Sequence, residues 1–300
     1  MVALSPQPAM AAGGHRFKFA MVTHAQPGDT FWDIIRKGAE AAAKKDDAQL
    51  IYVNNPSADG EARLITNMIN QHVDGIAVTL AFPEAEAATI KQAQQAGIPI
   101  VGFNAGTGVW KKLGITSYVG QDETIAGKAV GNRLNAEGAK DIICVDQQQG
   151  AIQLEQRCDG IKDTFKGKVS ILYLHGYDMG VAHARMLAKL QQDPKIDYIV
   201  TLGAPFAPTA YQAVQDASSK ANVGTFDMSP TVVKLIQEGK VQWAVDQQPY
   251  VEGYLAIDFL WLYQTNGDVV GGGQAVLTGP TFVDHKNIAQ VAKYAARGTR

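Results

Sequence analysis

Residues 51–83 (IYVNNPSADGEARLITNMINQHVDGIAVTLAFP) and 172–205 (LYLHGYDMGVAHARMLAKLQQDPKIDYIVTLGAP) are two versions of one pattern. Tyr52 matches Tyr173, Ala62-Arg63-Leu64 matches Ala184-Arg185-Met186, and Asp74-Gly75-Ile76 matches Asp197-Tyr198-Ile199; both segments then reach Val-Thr-Leu. A single recurrence at a spacing of roughly 120 residues marks a duplicated domain, whereas solenoids repeat every ~20 to 50 residues. Each copy reads as strand, helix, strand, and the same alternation runs through the whole chain. FKFAMVT, QLIYVN, DGIAVTL, IPIVGF, DIICVD, VSILYL, DYIVTL, NVGTFD and VQWAVD are apolar and β-rich, and most are separated by helical patterns such as EARLITNMINQH or AHARMLAKLQQ. Regular alternation of this kind implies parallel sheets covered by helices on both faces. The expected fold class is therefore α/β, with two similar doubly wound parallel-sheet lobes. The chain's 300 residues, 46% of them apolar, suffice for two cores.

In open parallel sheets ligands bind beyond the carboxyl ends of the strands. Two lobes facing each other at those ends form a cleft, and the polar residues there become informative. They are Asn54-Asn55, Asn104, Gln147 to Gln149, Asp227 and Gln247-Gln248. Each one alone also fits turn chemistry. Together they favour a polar, uncharged ligand, because amides and carboxylates both satisfy hydroxyls.

Charge excludes other partners. With 27 basic and 29 acidic residues the chain has no electrostatic footprint for nucleic acid or an anionic membrane. No run of 18 apolar residues occurs, so no transmembrane helix is expected. Residues 1–16 (MVALSPQPAMAAGGHR) contain Ala9-Met10-Ala11, which has the form of a signal-peptidase site, but lack a basic start and a long apolar stretch. They read as the remnant of an export signal or a non-native leader, or as an ordinary disordered terminus. Cys144 and Cys158 are too few for a metal site, and no CxxC or HExxH is present; they are either a disulfide or two buried thiols.

The stretch PGDTFWDIIRKGAEAAAKK (27–45) places two aromatics side by side at the start of a helix. Phe31, Ile35, Gly38 and Ala42 follow the rhythm of a core-facing stripe, which turns Trp32 away from it. Thr30 is the expected N-cap, with Asp33 in the first turn. Trp32 then either faces the cleft or packs under a neighbouring loop.

These features resemble the periplasmic sugar-binding proteins of ABC transporters, in the type I fold shared with ribose- and galactose-binding proteins. The resemblance runs from Phe17 to about Val283. It is carried, in order, by PGDTFWDIIRKGAEAAA, DGIAVT, QAGIPIVGFNAG, GQDETIAGKAVGNRL, QRCDGIKDTF and GTFDMSPTVVKLIQEGKVQWAVDQQPYVEG. It implies two lobes joined by three crossovers, near Gln121-Asp122, Gln248-Pro249 and Gly279-Pro280, closing over one monosaccharide or polyol. The lobes would comprise residues 17–121 with 249–278, and 122–248 with 279–300. Phe31 and Trp32 take the two aromatic positions of the first lobe, with Asp29 a preceding polar contact, and Tyr177 supplies the aromatic of the second. Arg157 falls on the ligand-binding arginine, Asp227 on the carboxylate after GTF, and Gln247 on the hinge glutamine. Arg157 and Asp227 also fit a structural ion pair.

Departures from the ribose pattern bear on specificity. Where that pattern has an acid followed by an arginine after the fourth strand, this chain has Asn104-Ala105; where it has an asparagine on the second lobe, this chain has Gly203. His24, at the end of the first strand, is also unlike the pattern, and fits either a cleft or a turn role. The resemblance implies a periplasmic or otherwise extracytoplasmic monomer without cofactor or metal, handing its ligand to ABC permease subunits and binding no nucleic acid.

Other functions fit less well. A sugar receptor for a chemotaxis or sensor protein is compatible with the same fold. The effector-binding part of a LacI-type repressor shares it too, but needs a helix-turn-helix ahead of Phe17. An enzyme is not expected: there is no GxSxG elbow and no GxxxxGK[ST] loop, and Gly106-Thr107-Gly108 lacks the third glycine of a dinucleotide fingerprint.

Overall fold

The computed structural model describes residues 16–300; the leader expected over residues 1–16 lies, Arg16 apart, outside the described residues. The first stretch runs β1 (Lys18–Thr23), α1 (Thr30–Lys45), β2 (Gln49–Asn54), α2 (Ala58–Asn70), β3 (Gly75–Thr79), α3 (Pro83–Gln95), β4 (Ile100–Phe103) and β5 (Ser117–Gly120). The second runs α4 (Glu123–Ala136), β6 (Asp141–Asp146), α5 (Ile152–Thr164), β7 (Lys168–Tyr173), α6 (Met179–Gln192), β8 (Tyr198–Thr201), α7 (Phe206–Asp216), β9 (Asn222–Phe226), α8 (Pro230–Gln237) and β10 (Trp243–Asp246). The chain then forms α9 (Pro249–Asn266), β11 (Val276–Leu277), β12 (Thr281–Asp284) and α10 (Ile288–Ala296).

The strands form two six-stranded sheets, ordered β11-β5-β4-β3-β1-β2 and β12-β10-β9-β8-β6-β7. The orders are the same once the strands are renumbered within each lobe, as duplication requires. All pairings are parallel except β10–β12. The chain passes between sheets after β5, after β10 and between β11 and β12. The matched Asp74 and Asp197 do the same job in each copy: Asp74 accepts from the Lys18 N–H, and Asp197 from those of Lys140 and Asp141, tying the third strand to the start of the first.

Alternation along the central strands feeds a core on each face. Phe19 and Met21 of β1 pack towards α1 and α9, while Ala20 and Val22 pack with residues of α2 and α3. In β6, Ile143 and Val145 join the core under α6, α7 and α8, while Ile142 and Cys144 face α4 and α5. That orientation puts Cys144 against Cys158 of α5, and the two form a disulfide, the first of the two alternatives open from sequence.

Two helix pairs approach so closely that only glycine fits. A Cβ at Gly38 would overlap the Tyr250 carbonyl, and one at Gly127 the Arg157 carbonyl. Gly38 is thus a contact between α1 and α9, and Gly127 brings α4 against the helix that carries Arg157.

Candidate functional site

The carboxyl ends of both sheets meet across a cleft with some 380 Å³ not filled by protein atoms, at the small end of the range for small-molecule sites. All nine residues expected there line it: His24, Asp29, Phe31, Trp32 and Asn104 from one side, Arg157, Tyr177, Asp227 and Gln247 from the other. Gln26, Gln147, Gln148 and Gln153 line it as well.

The aromatic wall differs from expectation in its origin. The N-cap of α1 is Asp29, not Thr30: its Oδ1 accepts from the Phe31 N–H at 3.1 Å. The helix therefore starts at Thr30, and Phe31 and Trp32 both lie in its first turn, above the sheet's carboxyl edge. Both are buried, at 5% and 7% exposure, so Trp32 is not turned away from a core-facing Phe31. Their rings meet edge to face at 5.3 Å, and Trp32 meets the His24 ring in the same way at 4.7 Å. From the facing lobe Tyr177, packed on Phe206, donates its hydroxyl to Asp29 Oδ2 at 2.6 Å. Both Asp29 oxygens thus have protein partners, and burial raises its carboxyl pKa against these bonds.

On the other wall Arg157 makes a bidentate pair with Glu123, a residue the sequence reading did not single out. Its Nη1 donates to the Leu202 carbonyl at 3.0 Å, and its guanidinium lies over the Phe226 ring at 4.5 Å. The ion-pair alternative for Arg157 is real, but Glu123 is the partner, and Asp227 is not. Asp227, in the left-handed region at φ +68°, accepts from Gln247 Nε2 at 2.6 Å. Burial pushes its carboxyl up to about 7, with Arg157 and the Gln247 bond opposing.

Asn104 also has positive φ, +62°. Its amide donates to Gln247 Oε1 at 3.3 Å and to Glu252 Oε2 at 2.9 Å, and Glu252 Oε1 accepts from Thr278. Glu252 is wholly buried at the start of α9, and burial lifts it to about 8 against those two hydrogen bonds. It binds together residues adjoining two of the crossovers. Sequence offered little for it: a glutamate in a first helical turn is common on exposed surfaces.

His24 belongs to the cleft, not merely to a turn. It is buried, with Nδ1 2.9 Å from Thr79 Oγ1 and Nε2 2.9 Å from Gln153 Nε2. Burial, then the Arg157 charge, drives its pKa down to about 3, so the ring is neutral. Gly203 leaves room that Gln147 fills: the Gln147 Nε2 lies 3.1 Å from where a Cβ at 203 would sit. An amide absent from one position is thus supplied from the end of β6. Four hydrogen bonds cross the cleft directly: Tyr177 to Asp29, Gln153 to His24, Gln148 Nε2 to the Pro56 carbonyl, and the Ile152 N–H to the Ala81 carbonyl.

Two doubly wound lobes, with polar amides, aromatics and one neutralised ion pair converging between them, define a two-lobed small-molecule binding protein. Residues 19–268 match the periplasmic binding protein domain family, and the chain belongs to that family. A solved structure of a carbohydrate transporter from Acidothermus cellulolyticus 11B, in complex with myo-inositol, is 56% identical, covers 95% of this chain and 100% of that one, and superposes with a TM-score of 0.94. An ABC transporter solute-binding protein from Burkholderia graminis C4D1M, in complex with D-arabinose, is 25% identical over 91% of this chain and 96% of its own, with a TM-score of 0.80. The xylose/arabinose-binding protein XylF of Sulfolobus acidocaldarius is 24% identical over 73% of this chain, and the match spans 59% of that protein's length.

Proposed function

We propose that this chain is the extracytoplasmic solute-binding protein of an ABC importer, closing over one neutral cyclic polyol or monosaccharide, with myo-inositol the first candidate. The observation that carries the reading is the set of polar atoms still unspent in the cleft. Gln147 Oε1 and Gln153 Oε1 are buried with no protein partner, and Asp227 has one carboxylate oxygen beyond the one that Gln247 uses. A buried acceptor without a donor costs about 1–3 kcal/mol, which ligand hydroxyls relieve. The guanidinium of Arg157 carries more N–H groups than its three printed bonds use, so it offers donors as well. Its charge is balanced by Glu123, so a charged ligand gains little here and a neutral one loses nothing.

The aromatic pair Phe31 and Trp32 suits the apolar C–H faces of such a ring. The myo-inositol complex of the Acidothermus protein, at 56% identity, supports a ligand with a hydroxyl on every ring carbon. The buried Cys144–Cys158 disulfide supports an oxidising, extracytoplasmic compartment. Lobes of residues 17–121 with 249–278 and 122–248 with 279–300, one protein molecule per ligand, and delivery to permease subunits complete the reading.

The test is a thermal-shift and titration series on protein stripped of ligand by unfolding and refolding, with myo-inositol, pentoses, hexoses and linear polyols. A ligand at a hundredfold its Kd adds about 2.7 kcal/mol of stability, visible as a raised Tm. No shift with any of them overturns the proposal.

A further inference from the structure

Behind His24 lies a buried chain of hydrogen bonds that ligand contact alone does not explain. Glu61 and Glu86, in the first turns of α2 and α3, are both fully buried and interact side chain to side chain. Glu86 Oε1 accepts from the Phe82 N–H, and Glu61 Oε1 from the Thr79 hydroxyl. The two remaining oxygens, Glu61 Oε2 and Glu86 Oε2, have no other partner. Two buried carboxyls in contact do not both ionise; one proton shared between them satisfies both orphaned oxygens. Glu61 Oε1 is then left as a pure acceptor.

The consequence propagates by valence. The Thr79 hydroxyl has one proton, which goes to Glu61, and two lone pairs. Those receive the backbone N–H of His24 at 3.2 Å and its Nδ1 at 2.9 Å. Nδ1 must therefore carry the proton, and in a neutral ring Nε2 is bare. Nε2 can only accept, so it takes a hydrogen from the Gln153 NH₂ group 2.9 Å away. That fixes which way round the Gln153 amide sits and leaves its oxygen in the cleft wall as the buried, partnerless acceptor.

We infer that Glu61, Thr79 and His24 form a positioning relay that holds the amide of Gln153 with its oxygen presented to the ligand, making Gln153 a specificity-determining residue that requires a hydroxyl donor. The inference rests on the polyol-binding reading above. Glu61, Thr79 and His24 come from elements of one sheet layer and Gln153 from the other, so the histidine tautomer is set before the lobes meet. The relay thus presents a prepared acceptor to the Gln153 amide as the cleft closes.

The test uses ¹⁵N-histidine-labelled full-length protein, with the His24 signals assigned through His24→Asn. The wild type is expected to show a pyrrole-type Nδ1 and a pyridine-type Nε2, with or without myo-inositol. Thr79→Val removes the proton direction and is expected to give a mixed or reversed tautomer and at least fivefold weaker myo-inositol binding by calorimetry, while Thr79→Ser restores both. Gln153→Leu is expected to weaken binding tenfold or more with the tautomer unchanged. A protonated Nε2 in the wild type overturns the relay whether or not any variant folds; so does Thr79→Val with tautomer and affinity both intact, and wild-type affinity in Gln153→Leu overturns the role of Gln153. If the wild type binds neither myo-inositol nor any sugar tried, the binding reading fails, and the wild-type tautomer still decides whether the relay exists.

Discussion

Arg157 and Glu123 face each other in parallel, Nε to Oε2 at 2.6 Å and Nη2 to Oε1 at 2.8 Å, with side chains 4% and 1% exposed. The pair is possible because Gly127 lets α4 lie directly on α5. Bidentate geometry spends guanidinium hydrogens on one carboxylate and still leaves donors at the cleft face. Arg157→Met therefore does more than remove a ligand contact: it strands the Glu123 carboxylate in the interior. Breaking a buried pair on one side costs about 3–5 kcal/mol. Urea unfolding of Arg157→Met is expected to show a loss of that order, with much of it recovered in Arg157→Met/Glu123→Leu. A single variant as stable as wild type would mean that the pair is not buried as described.

Trp32 is the cleaner probe of binding, since its ring sits at the cleft and only its edge meets His24 and Phe31. Trp32→Ala is expected to weaken the ligand found in the titration series by about 1–3 kcal/mol, from the aromatic area no longer covering the ring. Trp32→Phe should fall between. Calorimetry distinguishes this from loss of fold, because circular dichroism of the variant should be unchanged; equal Kd values for all three proteins would assign Trp32 to packing alone.

The duplicated βαβ pattern made the architecture legible, because burial on both sheet faces imposes apolar runs and the helices between them keep a separate period. The short strands β5, β11 and β12 were not read from the sequence; two to four residues give periodicity too little length to register. At the site, the residues at strand ends and the aromatic pair were legible because their positions relative to the sheets were. Glu123, Gln153 and Glu252 were not. Each lies in the opening stretch of a helix, where acids and amides are ordinary, and only the folded chain reveals that all three are buried. The Asp29 cap was assigned to Thr30 because either side chain can cap; Tyr177, from the other half of the chain, then takes the second oxygen of Asp29.

Glu252 gives the hinge region a pH signature. Held at about 8 by burial, its carboxyl keeps a proton in the folded state that the unfolded chain loses near pH 4 to 5. The unfolded state thus binds fewer protons across this window, and the stability contribution is full below pH 4, falls as pH rises, and is lost above about 8. Asp227, held at about 7, acts in the same direction. His24 acts oppositely but only on the acid side: it stays neutral down to about 3 while the unfolded chain takes up a proton below about 6.5. Between pH 6.5 and 8.5 the decline from the carboxyls should dominate. Stability followed by urea unfolding is expected to fall over that interval, and Glu252→Gln, which can still accept from Asn104 and donate to Thr278, should flatten the slope. An unchanged slope in that variant would place the titration elsewhere.

The Cys144–Cys158 disulfide anchors the helix that carries Arg157 to the central strand of its sheet. It closes a loop with a sequence separation of 14, for which the chain-entropy account gives about 3 kcal/mol. Cys144→Ala/Cys158→Ala is expected to lower stability by up to that amount, and to weaken ligand binding less than Trp32→Ala does. Equal urea midpoints for the variant and for oxidised wild type would show that the bond contributes no net stability.

Ribose should be a poor ligand. A ribose-type site sets an acid and an arginine together after the fourth strand, serving adjacent hydroxyls with an acceptor and a fork of donors. Here that place holds Asn104, whose amide hydrogens go to Gln247 and Glu252, and Ala105, which has nothing to offer. Gly203 contributes no side chain on the facing lobe. Loss of about two polar contacts is worth about 2–5 kcal/mol, enough to carry a sub-micromolar ligand to high micromolar or weaker. What the cleft gains lies elsewhere: the free oxygens of Gln147 and Gln153, which a small furanose or pyranose ring with fewer hydroxyls leaves partly unmet. A ring bearing a hydroxyl at every carbon can meet them while still reaching Arg157 and Asp227. Calorimetry on stripped protein is expected to give myo-inositol at least tenfold tighter binding than ribose, a margin of about 1.4 kcal/mol. Sub-micromolar ribose binding would contradict the argument at its first step, by showing that Asn104-Ala105 can replace the acid and the arginine.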